Sequence, residues 1–306
     1  MSAEILNHCT LCPRECGADR AHGRLGSCLA PAKLCAARAS LHMWEEPCLS
    51  GERGSGTIFF SGCPLSCVFC QNSEISQSGI GFELTPKRLR EIFFELEKRG
   101  AHNINLVSPT PYIPLIAEAI SEAKDKGFAL PFIYNSSGYE KVESLKRLSG
   151  LIDIWLPDYK YVSSVLAARY SGVPDYPSVV LPALREMVRQ QPKPCFGKGH
   201  MMKRGVIIRH LMLPGCVSDS KEVLRSIRLN FGESVYVSIM RQYTPHGELS
   251  RFPELVRPLS DEEYSELTDY AVRLGIKRGF VQEGGSIGES FIPKFDGEGI
   301  CTEIQA

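Results

Sequence analysis

TIFFSGCPLSCVFCQN, residues 57–72, joins a short apolar run to a loop that carries Cys63, Cys67 and Cys70 in a Cys-x3-Cys-x2-Cys spacing. A thiolate is a soft ligand that suits zinc or an iron–sulfur cluster. Three in so short a span can converge on one centre and leave a coordination position to something else. The run 57–60 reads as a strand that delivers the loop, and the chain beyond it repeats that plan.

Thr85 and Pro86 open a helix in which Leu89, Ile92, Phe93 and Leu96 recur at helical spacing up to Gly100. Strand-like runs at 103–107, 131–135, 152–156, 206–213, 235–240 and 279–282 then alternate with helical patterns. The helices read as 111–126, 139–148, 163–170, 176–190, 219–230 and a last one from the capping box of Ser260 and Glu263 to 274. Such alternation implies a parallel sheet, and INLV, DIWL and VIIRHLML read as strands buried on both faces. The fold class is α/β, a partial (β/α)6-type barrel of parallel strands. An eight-fold barrel takes roughly 250 residues by itself. Gly284-Gly285 reads as a turn.

Residues 1–52 read as a loop-like, cysteine-rich N-terminal extension without a sustained period, and residues 53–306 as the barrel domain. Cys9, Cys12, Cys16 and Cys28 give Cys-x2-Cys-x3-Cys-x11-Cys, which can close a tetrahedral zinc site or carry a second iron–sulfur cluster. Cys35, Cys48, Cys195 and Cys216 read as small buried hydrophobes.

With 306 residues, 43% hydrophobic and 23% charged, and formal net charge +0, the composition is that of a globular protein and gives no sign of a nucleic-acid partner. No apolar run is long enough to span a bilayer and no charged-then-apolar leader opens the chain, so the expectation is a cytoplasmic protein with no membrane partner. In that compartment the 12 cysteines stay reduced, and their spacing reads as ligation before disulfides.

In a parallel βα architecture the site lies at the carboxyl ends of the strands. Residues there are Ser108 and Thr110, then Asn135, Ser136 and Ser137, then Asp158 and Lys160, then Arg209 and His210, and finally Gln242 to His246. Singly, most of these suit helix caps and turns. A charged pair straight after the apolar IWLP is harder to set aside, because a half-buried charge needs a partner or a ligand.

The triad spacing, with Phe69 before Cys70, resembles the radical S-adenosylmethionine superfamily. CTLCPRECGADR, EEPCLSGERGSGTIFFSGCPLSCVFCQN, NINLVSPTP, YNSSGYE, LPDYKY and FVQEGGSIGESFIPKFDGEGI are similar, more narrowly, to PflX-type homologues of pyruvate formate-lyase activating enzyme, and they span nearly the whole chain. The resemblance implies a four-iron four-sulfur cluster on Cys63, Cys67 and Cys70, with S-adenosylmethionine chelating the unique iron. One-electron reduction then yields methionine and a 5′-deoxyadenosyl radical that abstracts hydrogen. By the same resemblance Phe69 lies against the adenine, and Asn135 and Ser137 suit the ribose hydroxyls. Ser108 and Thr110 stand where relatives use a Gly-Gly-Glu turn, Asp158 and Lys160 match an Asp-x-Lys that contacts the cofactor, and His246 in QYTPHGEL matches the histidine of a PYHELG segment. The implied partners are an electron donor such as flavodoxin or ferredoxin and an unidentified substrate, for which a glycyl residue of a partner enzyme is one candidate. Two features depart from the activases: Gln71-Asn72-Ser73 replaces His-Asn-Pro, and the cysteine-rich segment precedes the triad. The competing class is a non-catalytic zinc or iron–sulfur protein that binds metal or relays electrons, which a closed fourth ligand would favour.

Overall fold

The structure is a computed structural model that describes residues 6–282 and 293–301; Gly284-Gly285 lies outside them. Its strands are β1 (Leu34–His42), β2 (Ser55–Phe60), β3 (Phe82–Leu84), β4 (Ile104–Val107), β5 (Phe132–Ser136), β6 (Ile154–Pro157), β7 (Cys195–Phe196), β8 (Met202–Leu211), β9 (Tyr236–Met240) and β10 (Gly279–Val281). They form one sheet in the order β3-β1-β2-β4-β5-β6-β8-β9-β10, with β7 antiparallel on β8. From β2 to β10 each neighbour in that order is parallel, as the βα alternation requires.

The helices are α1 (Pro47–Ser50), α2 (Ser73–Ser76), α3 (Pro86–Lys98), α4 (Ile113–Asp125), α5 (Val142–Lys146), α6 (Ser164–Ser171), α7 (Tyr176–Gln190), α8 (Val217–Phe231) and α9 (Asp261–Arg273). Thr85 caps α3 by accepting from the Arg88 amide, and its Leu89, Ile92, Phe93 and Leu96 are buried. The Ser260–Glu263 capping box opens α9 as expected.

Side chains alternate across the parallel strands, so each strand feeds two cores. Outward, Phe132, Tyr134, Trp155, Val206 and Ile208 pack beneath the helices with Phe93, Ile116 and Leu184. Inward, Ile133, Ile154, Leu156 and Ile207 pack against Cys48 and Leu49 of α1. This short helix therefore plugs the barrel from inside. Asn103 Nδ2 donates to the Leu49 carbonyl over 2.8 Å and holds the plug to the start of β4.

Three expectations change. Residues 1–52 are not loop-like throughout: β1 lies between β2 and β3, with Ala39 opposite Ile58 and Leu34 opposite Leu84. Its LCAARASLH sequence is a small-residue run buried almost end to end, without the alternation that announces a strand. The helix expected over 139–148 contracts to α5 because Tyr139 and Glu140 turn their side chains to Asp175 and Thr110. Of the cysteines read as buried hydrophobes, Cys35 and Cys48 are buried, Cys216 is half-buried and Cys195 is exposed on the edge strand β7. No helix among the described residues is long and apolar enough to cross a membrane.

Candidate active site

The loop leaving β2 turns at Gly62, whose φ of 90° and position against the Cys28 carbonyl leave no room for a Cβ. Its backbone is then tied down from several elements. Gln77 Nε2 donates to the Cys67 carbonyl at 2.8 Å, His246 Nε2 to the Cys70 carbonyl at 2.6 Å, and Gln71 Nε2 to the Gln242 carbonyl at 3.0 Å. Cys67 Sγ lies 3.0 Å from Ser171 Oγ, and Cys70 Sγ lies 3.3 Å from Ser76 Oγ. Burial pushes the Cys63 thiol well up, and pushes Cys67 up to about 11 against the pull of Lys160.

The three thiols open onto one cavity of about 470 Å³ that is also lined by Phe69, Ser108, Asn135, Ser137, Asp158 and Lys160. Apart from Phe69 of the triad loop, these groups come from the carboxyl ends of β4, β5 and β6, as the rim argument expects. Lys160 Nζ is 2.5 Å from Asp158 Oδ2 and 5.9 Å from the Phe69 ring centroid. Burial alone would lower the ammonium, but the Asp158 carboxylate outweighs it and holds it above its ordinary value. Ser108 takes a left-handed φ of 56°, and its amide donates to the Asn135 carbonyl at 2.9 Å.

Thr110 and His246 are not on the cavity wall. Thr110 Oγ1 donates to Glu140 Oε1 at 2.6 Å, behind the rim, and burial pushes the Glu140 carboxyl up to about 7. His246 supports the triad loop from outside through the Cys70 carbonyl.

Arg209, expected at the rim, lies on the cavity floor with two carboxylates that sequence reasoning missed, Glu45 and Glu46. Arg209 donates through Nε to Glu46 Oε1 at 2.8 Å and through Nη2 to Glu46 Oε2 at 2.6 Å, and pairs with Glu45 as well. Asn105 Nδ2 donates to Glu45 Oε1 at 2.7 Å. Burial raises the Glu46 carboxyl, but Arg209 more than reverses it and leaves it below its usual range. Two carboxylates around one guanidinium leave the floor with a net negative charge. Glu45-Glu46 directly before Pro47, with Arg209 straight after the apolar run Val206-Ile207-Ile208, was the available signal.

Among the described residues no three His, Cys, Asp or Glu side chains are gathered closely enough for a single metal ion. The triad thiols, all free, instead share a roomy cavity with polar and aromatic groups. That donor set and that space fit an iron–sulfur cluster with a bound organic cofactor, and fit a lone structural ion poorly.

Residues 57–187 match the family model of the Radical SAM superfamily. An uncharacterized protein of Methanocaldococcus jannaschii is 28% identical over 289 residues, covering 90% of this chain and 78% of that protein. Among solved structures, Streptococcus suis SuiB bound to precursor peptide SuiA matches with a TM-score of 0.50 and 15% identity, over 72% of this chain and 46% of that one. SuiB bound to S-adenosylmethionine matches with a TM-score of 0.50 and 13% identity, over 73% of this chain and 49% of that one. The chain spans about half the length of those structures, and at such identity the likeness is one of fold. The stretch matched by the Radical SAM superfamily model, residues 57–187, contains the loop of Cys63, Cys67 and Cys70 and the strand ends β4, β5 and β6 that face it.

Proposed function

We propose that this protein is an iron–sulfur enzyme that reductively cleaves S-adenosylmethionine and uses the resulting radical to abstract hydrogen from a substrate. The observation that carries the reading is the shared cavity: three thiols of one loop face the polar ends of β4, β5 and β6 across a space of about 470 Å³. When bound, a four-iron four-sulfur cluster and S-adenosylmethionine supply the electron and the 5′-deoxyadenosyl group.

Cys63, Cys67 and Cys70 would hold the cluster. Phe69 would lie against the adenine, Asn135 and Ser137 would meet the ribose hydroxyls, and Ser108 would present the left-handed turn after β4. Lys160, kept cationic by Asp158, would offer a fixed positive charge beside the Phe69 ring. The plug of α1 closes the inner end of the barrel and limits water there. A cytoplasmic flavodoxin or ferredoxin would supply the electron. The hydrogen donor we favour is a glycyl residue of a partner enzyme, on the strength of the passages similar to the activases.

The test is anaerobic. Protein reconstituted with iron and sulfide and reduced with dithionite is expected to convert S-adenosylmethionine into methionine and 5′-deoxyadenosine, followed by chromatography. The variant with Cys63, Cys67 and Cys70 all changed to Ala should keep its far-ultraviolet spectrum and form neither product. Iron-loaded wild type that leaves the cofactor intact, or zinc as the metal native to the triad, would overturn the proposal in favour of the non-catalytic class.

A further inference from the structure

A second group of thiols lies behind the triad loop. Cys9, Cys12, Cys16 and Cys28 line one small cavity of about 10 Å³ together with Arg14, Arg20, Pro64 and Pro111. All four are free; Cys9, Cys12 and Cys28 are buried and Cys16 is exposed.

Arg20 is the telling residue. It is 3% exposed, yet its guanidinium meets no carboxylate among the described residues. Its nitrogens go to the Pro31 carbonyl, to the Pro111 carbonyl at 2.8 Å, and to Cys9 Sγ at 3.9 Å, and the group lies over the Tyr112 ring. A buried cation without a counter-charge is costly. Neutral thiols do not supply that charge, whereas thiolates on a metal do.

We propose that Cys9, Cys12, Cys16 and Cys28 bind one zinc ion in a closed tetrahedral site, with Arg20 as its buried counter-ion. Binding releases four thiol protons to solvent. The four thiolates and Zn²⁺ together carry two negative charges, of which Arg20 neutralises one. A cavity this small is about the size that holds a single water, so it suits one ion and not a multi-iron cage. Among the described residues no three of these sulfurs are gathered as one ion would hold them, so zinc binding would draw the cysteine-bearing turns together, not Cys16 alone.

The site's position gives it a purpose. Arg14 Nε donates to the Pro64 carbonyl at 2.9 Å, beside Cys63; Arg20 holds Pro111 in the turn after β4; and Ser144 of α5 donates to the Leu11 carbonyl at 2.7 Å. A zinc-tied segment would thus brace the loops after β2, β4 and β5 from outside.

The test does not depend on the triad, because it uses the full chain carrying Cys63→Ala, Cys67→Ala and Cys70→Ala. Elemental analysis after equilibration with Zn²⁺ is expected to find one zinc per chain. Replacement by Co²⁺ should give the intense visible bands of a tetrahedral thiolate site. Arg20→Gln should weaken zinc retention against a chelator by about 10–100-fold, with Arg20→Lys recovering part of it. Folded triple variant without zinc, an iron–sulfur chromophore in that variant, or unchanged retention in Arg20→Gln would each overturn the proposal. Adding Cys12→Ser should abolish binding; if that variant fails to fold, the zinc content of the triple variant decides.

Discussion

His246 Nε2 and the Cys70 carbonyl oxygen lie 2.6 Å apart, joining the loop after β9 to the last cysteine of the triad across 176 residues of chain. The bond fixes the backbone of a proposed cluster ligand without entering the cavity. His246→Ala should therefore leave the fold intact and loosen the loop, losing about 1 kcal/mol of local stability. The expected readout is faster loss of iron and of visible absorbance in air, with His246→Gln, which keeps a donor, restoring most of the lifetime. Equal lifetimes for wild type and His246→Ala would contradict this role.

Arg209 is the cation that Glu45 and Glu46 share on the cavity floor. Arg209→Met would strand two neighbouring buried carboxylates and should cost roughly 3–5 kcal/mol, read as a lower urea midpoint at neutral pH. Glu45→Gln retains the Glu46 pair and should cost less. The same stability in both variants would mean that the floor is hydrated and its charges independent.

Two buried groups should pull stability in opposite directions with pH. His210 is held down at about 4 by burial, against the Tyr159 carbonyl 2.8 Å from its Nδ1. Its contribution is present above the unfolded value of about 6.5 and is lost as pH falls toward the folded one. Burial pushes Glu140 up to about 7, so its contribution is present below the unfolded value and is lost as pH rises. Each span is worth roughly 3 kcal/mol, and between about pH 4.5 and 6.5 the slopes offset each other. Urea unfolding across that range should show stability rising with pH in Glu140→Gln and falling in His210→Asn. Parallel curves for the two variants would refute the pairing.

The sequence revealed most where chemistry and local order coincide. The triad is three thiols in one loop, and Asp158 and Lys160 stand together after an apolar strand, so both could be read from neighbours in the chain. Position after a strand tells which residues reach the rim, but it does not tell which way they turn: Thr110 goes to Glu140 and His246 to a carbonyl. The floor was hidden because Arg209 and Glu46 are 163 residues apart. Strand β1 was hidden because its small residues are buried on both sides and carry no period. Ser108 shows the converse: its left-handed backbone keeps a conformation natural to glycine, at the place where the resemblance expects a Gly-Gly-Glu turn.

The helix wedged among Ile133, Ile154, Leu156 and Ile207 also sets an order of events. With that end of the barrel stoppered, the carboxyl-end mouth is a way in to the triad. On the proposed function, a cofactor seated against the triad and a substrate approaching through that mouth would share one doorway, so the deeper guest would enter first and depart last. Substrate should then slow the escape of bound cofactor, and high substrate given before cofactor should delay the first turnover.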